Sequence, residues 1–520
     1  MGSGRGRAGG RPWRNFGGGR ILGHPSRADG TGQCFLFHFF QHMRHVFTSA
    51  THHLLRHARR GALLLALGAA GPAARGQSFG PVSTYPTGAG SEPHGVAIED
   101  VNTDGRPDIV FTNSGTHTVG VLLVQAGGTF APAATYSTGT SSAPLGVALG
   151  DVNADGRPDI VTANSRTHTA GVLLGQAGGT FGPVTAYSTG AFGSPFGVAL
   201  GDVNRDGRLD IVAANYSTST VGVLLGQASG TFATVASYPT GASSGPFRLA
   251  LGDVNADGRP DIITANFTSS SVGVLLGQAG GTFAAVVLYP NGMISHPGSV
   301  ALGDVNGDGR PDIVTADYFA NTVGILAGQA GGTFAAVVSY STGATSGPYT
   351  VTIGDVNGDG QPDIVTANSV SNTVGVLLGQ AGPFAPVVTY STGAGSAPIS
   401  VALADVNSDG RPDIVTTNIG TNTVGVFLNT GTFTPLATAR PLAADFALAP
   451  NPAHGTFTVQ LPAGLVAGPA ELLNSLGQVV CRPAVAGPRF AVETAGLAPG
   501  VYTLRLAVGA GTVARRVVVE

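Results

Sequence analysis

Seven short stretches of the chain carry the residue types best suited to chemistry, and each follows the pattern Asp-x-Asn-x-Asp-Gly-x-x-Asp. Oxygen-bearing side chains stand at positions 1, 3, 5 and 9. Glycine at position 6 permits the positive φ of a sharp turn, so the backbone carbonyl of position 7 can face inward as a fifth donor. Because the donors are all oxygen, without His or Cys, the pattern predicts binding of a hard cation, Ca²⁺.

We call these stretches the motif loops, and their positions 1, 3, 5, 7 and 9 are the predicted metal ligands. Up to seven structural Ca²⁺ ions are therefore expected as cofactors, with no catalytic residue among the ligands. The ligands are Asp100, Asn102, Asp104, Arg106, Asp108, Asp151, Asn153, Asp155, Arg157, Asp159, Asp202, Asn204, Asp206, Arg208, Asp210, Asp253, Asn255, Asp257, Arg259, Asp261, Asp304, Asn306, Asp308, Arg310, Asp312, Asp355, Asn357, Asp359, Gln361, Asp363, Asp405, Asn407, Asp409, Arg411 and Asp413.

Two other interpretations fit the motif loops less well. A simple hairpin turn needs only one or two Asp, Asn or Gly residues, whereas these loops hold 21 of the 29 acidic residues of the chain. Crowded carboxylates raise one another's pKa unless a cation neutralises them. An EF-hand needs a bidentate Glu at position 12 and flanking helices. Here position 12 is Phe111, Thr162 or Ala213 in the first three loops, and the flanking residues have strand character.

Composition limits the class of protein. With 520 residues the chain is expected to hold two or more domains. Although 81 residues are Gly, 42% are hydrophobic, which excludes a disordered or collagen-like chain. The chain has no Lys, and from residue 77 onward it has 15 Arg and 28 acidic residues, a formal charge of −13. Nucleic acid is therefore not an expected partner. Two cysteines, Cys34 and Cys481, exclude a disulfide framework.

The first 76 residues have the character of an extension and a targeting segment. Residues 1–42 are rich in Gly and Arg, and we interpret them as a disordered or untranslated extension. Residues 43–76 are predicted to be a signal peptide, with Arg residues before the apolar run at 62–70 and small residues before Gln77. A small amphipathic helix is the alternative. The apolar run is too short to cross a bilayer, so no transmembrane anchor is expected.

Residues 77–440 form an array with a period of 51 residues and a last step of 50. Each unit is predicted to hold four antiparallel strands, with the motif loop between the first two. In the third unit these are residues 196–203, 210–215, 221–226 and 232–238. Seven such units predict a closed seven-bladed β-propeller, because closure removes exposed sheet edges. A spare copy of the fourth strand at 79–85 indicates that this segment completes or flanks the last blade, whose own copy at 432–436 is weaker.

Residues 354–365, Gly-Asp-Val-Asn-Gly-Asp-Gly-Gln-Pro-Asp-Ile-Val, followed by Asn-Thr-Val-Gly-Val-Leu-Leu-Gly at 372–379, resemble the FG-GAP repeat of integrin α-subunits and of many secreted bacterial proteins. The resemblance implies an all-β, seven-bladed propeller with calcium in the hairpin between the first two strands of each blade. Two departures are small: Glu99 replaces the Gly before the first loop, and Leu209 replaces the Pro of the third.

Residues 445–520 differ in kind, because the metal motif and the period stop. Alternating short strands predict a small Ig-like β-sandwich. The succession Pro-Asn-Pro at 450–452, Leu-Gly-Gln-Val-Val at 476–480, Leu-Ala-Pro-Gly-Val-Tyr at 497–502 and a basic end resembles the sorting domain of the type IX secretion system. The resemblance implies that the type IX secretion machinery is a partner and that the protein is extracellular, secreted or attached to the outer cell surface. An ordinary accessory sandwich is the alternative.

Two functions from different classes remain open. The near-identical repeats favour a non-enzymatic adhesion or ligand-binding module, expected as a monomer, with an unknown protein or glycan ligand. The alternative is a hydrolase or lyase acting on polysaccharide, which needs paired carboxylates. Its candidates are Glu92, Glu99 and Asp317, with His94 beside the first two. His117 and His168 occupy equivalent positions of two units and are interpreted as neutral turn residues.

For ligand binding, the motif loops are expected on one face of the ring and the crossings between blades on the other. The residues before each first strand are predicted either to rim the central opening or to pack between blades: His94, Leu145, Phe196, Phe247, Tyr349 and Ile399. Arg248 is the one charged residue at a position that is otherwise Gly, Ser or Thr.

Overall fold

The computed structural model describes residues 78–431 and, with short gaps, 447–519. The gaps in the second range are 462–466, 474–478, 484, 486, 488, 495–496, 498–499 and 509–510. The predicted extension at 1–42, the predicted signal peptide at 43–76 and the weak strand copy at 432–436 lie outside the described residues.

Seven sheets of four antiparallel strands make up residues 83–427, one sheet for each motif loop. We number the corresponding blades 1 to 7 in chain order of their loops. The first strands are Pro93–Glu99, Pro144–Gly150, Pro195–Gly201, Pro246–Gly252, Pro297–Gly303, Pro348–Gly354 and Pro398–Ala404. The second strands are Asp108–Asn113, Asp159–Asn164, Asp210–Asn215, Asp261–Asn266, Asp312–Asp317, Asp363–Asn368 and Asp413–Asn418.

The outer half of each sheet is shorter. The third strands are Thr118–Leu122, Thr169–Leu173, Thr220–Leu224, Ser271–Leu275, Thr322–Leu326, Thr373–Leu377 and Thr423–Phe427. The fourth strands of blades 1 to 6 are Ala134–Ser137, Thr185–Ser188, Ala236–Pro239, Val287–Pro290, Val338–Ser341 and Val388–Ser391, and blade 7 takes its fourth strand from Ser83–Pro86.

A short β-hairpin or turn joins the third and fourth strands. Four blades have two-residue hairpin strands: Val124–Gln125 with Thr129–Phe130, Gly175–Gln176 with Thr180–Phe181, Gly277–Gln278 with Thr282–Phe283, and Gly328–Gln329 with Thr333–Phe334. Blade 3 has instead a 3-10 turn, Ala228–Gly230, and a bridge from Gly226 to Phe232. No α-helix occurs within residues 78–431 or the described parts of 447–519.

The predicted second strand of the third unit is confirmed residue for residue, but the predicted fourth strand at 232–238 is wrong. Its first residue, Phe232, leaves the sheet and meets Tyr187 of the preceding blade edge-to-face, with ring centroids 5.1 Å apart. The paired strand begins only at Ala236. The apolar residues of 232–238 therefore have two different roles. The first contacts the preceding blade, and the last ones belong to the paired strand.

The ring closes through its two ends, as the spare strand copy predicted. Tyr85 lies opposite Val424 in an antiparallel pair, and Phe79 bridges to Asn429. The first strand of blade 1 also contacts the first strand of blade 7. The N-terminal strand therefore completes the last blade.

The cores lie between blades rather than inside them. All six residues of every second strand are buried, because each of these strands is covered on both faces by neighbouring blades. One cluster, for example, joins Val161 and Val172 of blade 2 to Ile211 and Leu224 of blade 3. Each blade is therefore stable only next to its neighbours.

The C-terminal segment is a separate β-structure. Its strands are Ala447–His454, Thr456–Gln460, Ala467–Leu473, Val479–Cys481, Arg489–Glu493, Gly500–Val508 and Gly511–Val519. In chain-order numbers within this segment they pair in the order 4-3-6-7-1-2-5. Phe457, Leu472, Val492 and Leu504 are at the centre of its core. The prediction of an Ig-like sandwich stays a prediction.

Candidate metal centre

The strand directions place the seven motif loops on one face of the ring. Each loop follows the C-terminal end of a first strand, whereas the crossings between blades and the turns between second and third strands lie at the opposite end. We call these the motif face and the crossing face. The predicted separation of the two sets of loops is confirmed.

Each motif loop folds around the side chains of its first and third positions. In blade 1 the Asp104 backbone N–H donates to Asp100 Oδ1 at 3.0 Å and to Asn102 Oδ1 at 2.9 Å. The Gly105 N–H donates to Asp100 Oδ2 at 2.7 Å. The same three contacts recur in the other loops, for example around Asp253 and Asp405. The oxygens of positions 1 and 3 therefore converge on one point.

The backbone of the loops is left-handed at two positions. Glycine at position 6 has φ near 80°, for example 85° at Gly105, as the sequence predicted. Position 4 is also left-handed, and sequence reasoning missed it, although Gly307 and Gly358 at this position in two loops were a signal. The other loops hold Thr103, Ala154, Arg205, Ala256 and Ser408 there, with φ of 59° to 63°.

The aspartate at position 9 is fully buried in every loop. Asp108 accepts the Val101 N–H at 3.2 Å and the Val124 N–H at 2.7 Å. Burial raises the pKa of Asp108 to about 6; these hydrogen bonds oppose the rise, and the carboxylates of Asp104 and Asp100 add to it. In blade 6 the same causes raise the pKa of Asp363 to about 7. Negative charge is thus concentrated at a buried carboxylate that makes no ion pair with a side-chain cation within residues 78–431.

Position 7 provides partial compensation in six of the seven loops. The Arg Nη2 atom lies 2.5 to 2.6 Å from Oδ2 of the position 5 Asp in five loops, and Arg208 pairs with Asp206 in the same way. The Nε atom of the same Arg donates to a backbone carbonyl, as from Arg106 to Val124 at 3.1 Å. The loop of blade 6 has Gln361 instead, so Asp359 lacks this ion pair.

The donor atoms of each loop are all oxygens, which fits a calcium ion. Side-chain oxygens of positions 1, 3 and 5 lie in one tight loop, and the buried carboxylate of position 9 is influenced by the charges of positions 1 and 5. Within the described ranges, however, no three His, Cys, Asp or Glu side chains converge as a ready set of metal ligands. The carboxylates instead accept backbone N–H groups, so binding would require some of them to exchange partners.

Five of the seven motif loops, those of blades 1 to 4 and 7, are also covered by the next blade. A Cβ atom on Gly179 in the blade 2 hairpin would lie 3.0 Å from Asn102 Cβ in the blade 1 loop. Gly128, Gly230, Gly281 and Gly332 approach the position 3 Asn of the preceding loop in the same way. The position 3 ligand is therefore part of the interface between blades.

The candidate catalytic residues do not converge. Glu92 is exposed on the crossing face, whereas Glu99 lies at the other end of the same strand, about 16 Å from His94 at 3.3 Å per residue. Asp317 is buried at the end of the second strand of blade 5, where Asn291 Nδ2 donates to its Oδ1 at 2.5 Å. The polysaccharide hypothesis thus lacks the cluster on which it rested.

The predicted rim residues close the central opening. His94, Leu145, Phe247 and Ile399 are 1 to 6% exposed. Phe247 of blade 4 contacts Tyr349 of blade 6 at 6.2 Å between ring centroids, although these blades are not neighbours. These side chains therefore meet over the axis of the ring and do not surround an open channel entrance.

His117 and His168 occupy turns on the crossing face, as interpreted from the sequence. Nδ1 of His117 accepts the Ala143 N–H at 3.2 Å, and Nδ1 of His168 accepts the Ser194 N–H at 3.1 Å. In other blades Asn321 and Asn372 accept the equivalent N–H through their amide oxygens. The two histidines thus fix the crossing to the next blade.

Comparison with known proteins agrees with this architecture. The FG-GAP-like repeat family matches at residues 100–162, 151–213, 202–264, 253–315, 304–366 and 355–416, which together span all seven motif loops. The secretion system C-terminal sorting domain matches residues 447–520. Among curated proteins, none matches the chain.

Solved structures similar to the chain include an inactive variant of virginiamycin B lyase from Staphylococcus aureus, solved with quinupristin. It has a TM-score of 0.49 and 13% identity, and the match covers 67% of this chain and 99% of that one. The periplasmic gluconolactonase of Pseudomonas aeruginosa has a TM-score of 0.44 and 20% identity, over 58% of this chain and 86% of that one.

The sorting tail indicates that the type IX secretion machinery delivers the protein to the outside of the cell or to its outer surface. In the part of the chain that the structure describes, no helix is both long enough and apolar enough to cross a membrane. The family match extends over more than half of the sequence, and the chain belongs to the FG-GAP-like repeat proteins.

Proposed function

We propose that the protein is an exported, calcium-stabilised β-propeller that binds a protein or glycan ligand through its crossing face and acts in adhesion without catalysis. The observation that carries this proposal is that the two faces of the ring present different residues. The motif face holds seven nearly identical acidic loops, whereas the crossing face holds apolar residues that differ from blade to blade.

The metal part of the proposal rests on charge. Positions 1, 3, 5, 7 and 9 of each loop would hold one Ca²⁺ ion, which supplies positive charge to three carboxylates that share at most one Arg. Because the position 3 Asn packs against the next blade in five loops, a bound ion there would stabilise the contact between blades as well as the loop. Its role is structural.

The ligand part rests on an aromatic cluster in blades 3 to 6. Phe247 stacks on Phe267 with centroids 4.4 Å apart and contacts Phe196 at 4.7 Å. Phe267 in turn approaches Phe319 at 6.3 Å. Around this cluster, loop residues of the same face expose apolar side chains: Phe192 by 76%, Met293 by 93%, Ile294 by 65%, Phe319 by 39% and Val370 by 43%. Apolar exposure concentrated on one face is typical of a binding surface.

Elemental analysis tests the metal part. The secreted protein should contain close to seven Ca²⁺ ions per chain, and chelation with EDTA should lower its melting temperature by about 10 °C or more, since seven sites contribute to the folded state. Re-addition of Ca²⁺ should restore the original value. Zero or one ion, or a melting curve that EDTA leaves unchanged, would show that the loops are only turns.

Substitution on the crossing face tests the ligand part. Beads coated with the protein should adhere to the producing cells or to a panel of surface glycans, and the triple variant F192S/M293S/I294S should lose most of this adhesion. The control is V287S/V338S/V388S, which replaces valines exposed by 48 to 55% on the outermost strands. Equal adhesion of the two variants would contradict binding through the crossing face.

A further inference from the structure

A narrow channel runs along the axis of the propeller. In every first strand the first residue is buried and the last three keep partial exposure, as in Pro144–Gly150. These strands are the innermost of each sheet and contact one another around the ring. Their exposed residues therefore face a solvent-containing channel toward the motif face, while His94, Phe247 and Tyr349 close it toward the crossing face.

One ring of residues below this closure contains a single charge. At equivalent positions the seven blades contribute Gly95, Gly146, Gly197, Arg248, Ser299, Thr350 and Ser400. A Cβ atom on any of the three glycines would lie only 2.7 to 3.0 Å from the backbone of the next blade. Larger side chains are therefore excluded at the three glycine positions. The space that these small residues leave accommodates the long side chain of Arg248.

The guanidinium group of Arg248 lies close to the axis. Its charge acts on His94 of blade 1 and on Tyr349 of blade 6, two blades that do not adjoin blade 4. Burial, and to a smaller extent this positive charge, lower the pKa of His94 to about 3, so His94 is neutral. Burial also lowers the pKa of Arg248 itself.

The guanidinium group of Arg248 has no hydrogen bond or ion pair with any residue in the described part of the chain. Glu99, the acidic residue on the first strand of blade 1, lies four positions beyond Gly95 of this ring, about 13 Å along the strand at 3.3 Å per residue. In the same ring the Oγ1 atom of Thr350 is buried and also lacks a partner, and Thr350 is 4% exposed. The partly exposed cation of Arg248 and the buried hydroxyl of Thr350 thus both lack a protein partner in the same ring of residues. An unsatisfied buried hydroxyl is costly for a folded protein.

We propose that the axial channel binds a small anion, chloride or the carboxylate group of a small ligand, between the guanidinium of Arg248 and the hydroxyl of Thr350. The two groups provide a charged donor and a neutral donor, a combination that holds compact anions. The aromatic closure excludes water on one side and limits the size of the ligand. This site is independent of the calcium loops and of the crossing-face ligand.

Crystals of the calcium-bound protein soaked in sodium bromide test the site directly. An anomalous bromine peak is expected beside the Arg248 guanidinium and within hydrogen-bonding distance of Thr350 Oγ1. The peak should be absent in Arg248→Met and present in the control Arg166→Gln, which removes one exposed positive charge. Loss of the peak when acetate is added to the soak would assign the site to carboxylates, and its persistence would assign it to halide. No peak at Arg248 in the wild-type protein would overturn the proposal.

Thermal melting provides a second readout in solution. At constant ionic strength and calcium, chloride should raise the melting temperature by about 2 °C or more over a sulfonate anion too bulky for the channel. Arg248→Met should abolish this difference, and if that variant does not fold, Thr350→Val should reduce it. A wild-type protein that melts at the same temperature in both salts would mean that channel water solvates Arg248, and the proposal would fail.

Discussion

At the scale of single residues, blade 5 shows how one repeat tolerates a buried carboxyl group. Six blades end the second strand with Asn, but blade 5 has Asp317, and the residue facing it is Asn291 where the other blades have Thr. In blade 3 the Asn215 Nδ2 atom donates to the Thr189 carbonyl at 2.7 Å. In blade 5 the donor is Asn291 instead, which donates to Asp317 at 2.5 Å. The pair has exchanged donor and acceptor.

This exchange predicts a pH-dependent stability. Burial raises the pKa of Asp317 to about 7, although hydrogen bonds from Thr315, Asn291 and Thr322 oppose the rise. The unfolded carboxyl loses its proton near pH 4, so the free energy of unfolding falls between about pH 4 and pH 7. Asp317→Asn removes that loss of stability. Its free energy of unfolding should exceed that of the wild type by an amount that grows between pH 4 and pH 7 to at most about 4 kcal/mol.

Denaturation curves in saturating calcium at several pH values measure the difference in free energy of unfolding between Asp317→Asn and the wild type. The carboxylates of the motif loops contribute equally to both proteins and do not affect this difference. Asn266→Asp is the matched control, since it creates the same carboxyl in blade 4, where Thr240 takes the place of Asn291. It should be strongly destabilised above pH 7. A difference between Asp317→Asn and wild type that does not change with pH would contradict the assignment.

Gln361 is the second residue that sets one repeat apart. Without an Arg at position 7, the blade 6 loop retains three carboxylate charges, whereas the other loops retain a net charge of −2. Gln361→Arg should therefore raise the melting temperature of the EDTA-treated protein by about 1–2 °C, and by less in calcium. Arg259→Gln should have the opposite effect. Equal shifts of the melting temperature with and without calcium would show that the charge at position 7 does not affect metal binding.

At the scale of elements, the sequence predicted the parts that a local pattern determines. The second strands, Asp210–Asn215 among them, follow directly from runs of Ile and Val between an acidic loop and a polar turn. The motif loops follow from their own oxygen-bearing residues. The fourth strand could not be placed correctly, because Phe232 packs against the preceding blade and local sequence carries no signal for that distant contact.

The same limit applied to the residues around the axis. Their alignment in the repeats was visible, so Arg248 could be recognised as an exception, but closure of the channel depends on Phe247 meeting Tyr349 from two blades away. The positive φ at position 4 was missed for a different reason. Ala154 and Arg205 adopt it although their side chains disfavour it, because the loop hydrogen bonds determine the backbone there.

The short hairpin between the third and fourth strands is predicted to depend on one glycine. Gly178 and Gly179 both have positive φ, of 76° and 72°. A Cβ atom on Gly178 would meet nothing within 4 Å, whereas one on Gly179 would lie 3.0 Å from Asn102 Cβ and from Leu123 Cδ2. Gly178→Ala should cost about 1 kcal/mol through backbone strain alone, and Gly179→Ala about 1 kcal/mol more through the displaced loop.

Urea denaturation of the two alanine variants measures that difference. Gly179→Ala should also weaken calcium binding to the blade 1 loop, because Asn102 is one of its proposed ligands. Calcium titrations of both variants in parallel distinguish the two effects. Identical stability of the variants would mean that the hairpin and the loop of the preceding blade are not energetically coupled.

At the scale of the whole molecule, seven pairs of Phe and Tyr connect neighbouring blades edge-to-face around the ring. They are Tyr85–Phe130, Tyr136–Phe181, Tyr187–Phe232, Tyr238–Phe283, Tyr289–Phe334, Tyr340–Phe384 and Tyr390–Phe79, with centroids 4.7 to 5.4 Å apart. Two of the seven pairs use a residue of the N-terminal segment. The ring is therefore complete only if that segment is docked.

Removal of the N-terminal strand should open the ring. A chain that starts at Thr87 lacks Phe79 and Tyr85 and leaves the edge of Thr423–Phe427 unpaired. Exposed strand edges pair with other chains, so this variant should melt at a lower temperature and form oligomers in size-exclusion chromatography. A chain that starts at Gln77 should remain monomeric. A synthetic peptide of residues 77–87 added to the shortened chain should restore both properties. The same peptide with Ser83→Pro should not, because Ser83 pairs with Val426 and proline cannot donate to the ladder. If the shortened chain melts like the longer one, ring closure depends on contacts between first strands alone, and the N-terminal strand is dispensable.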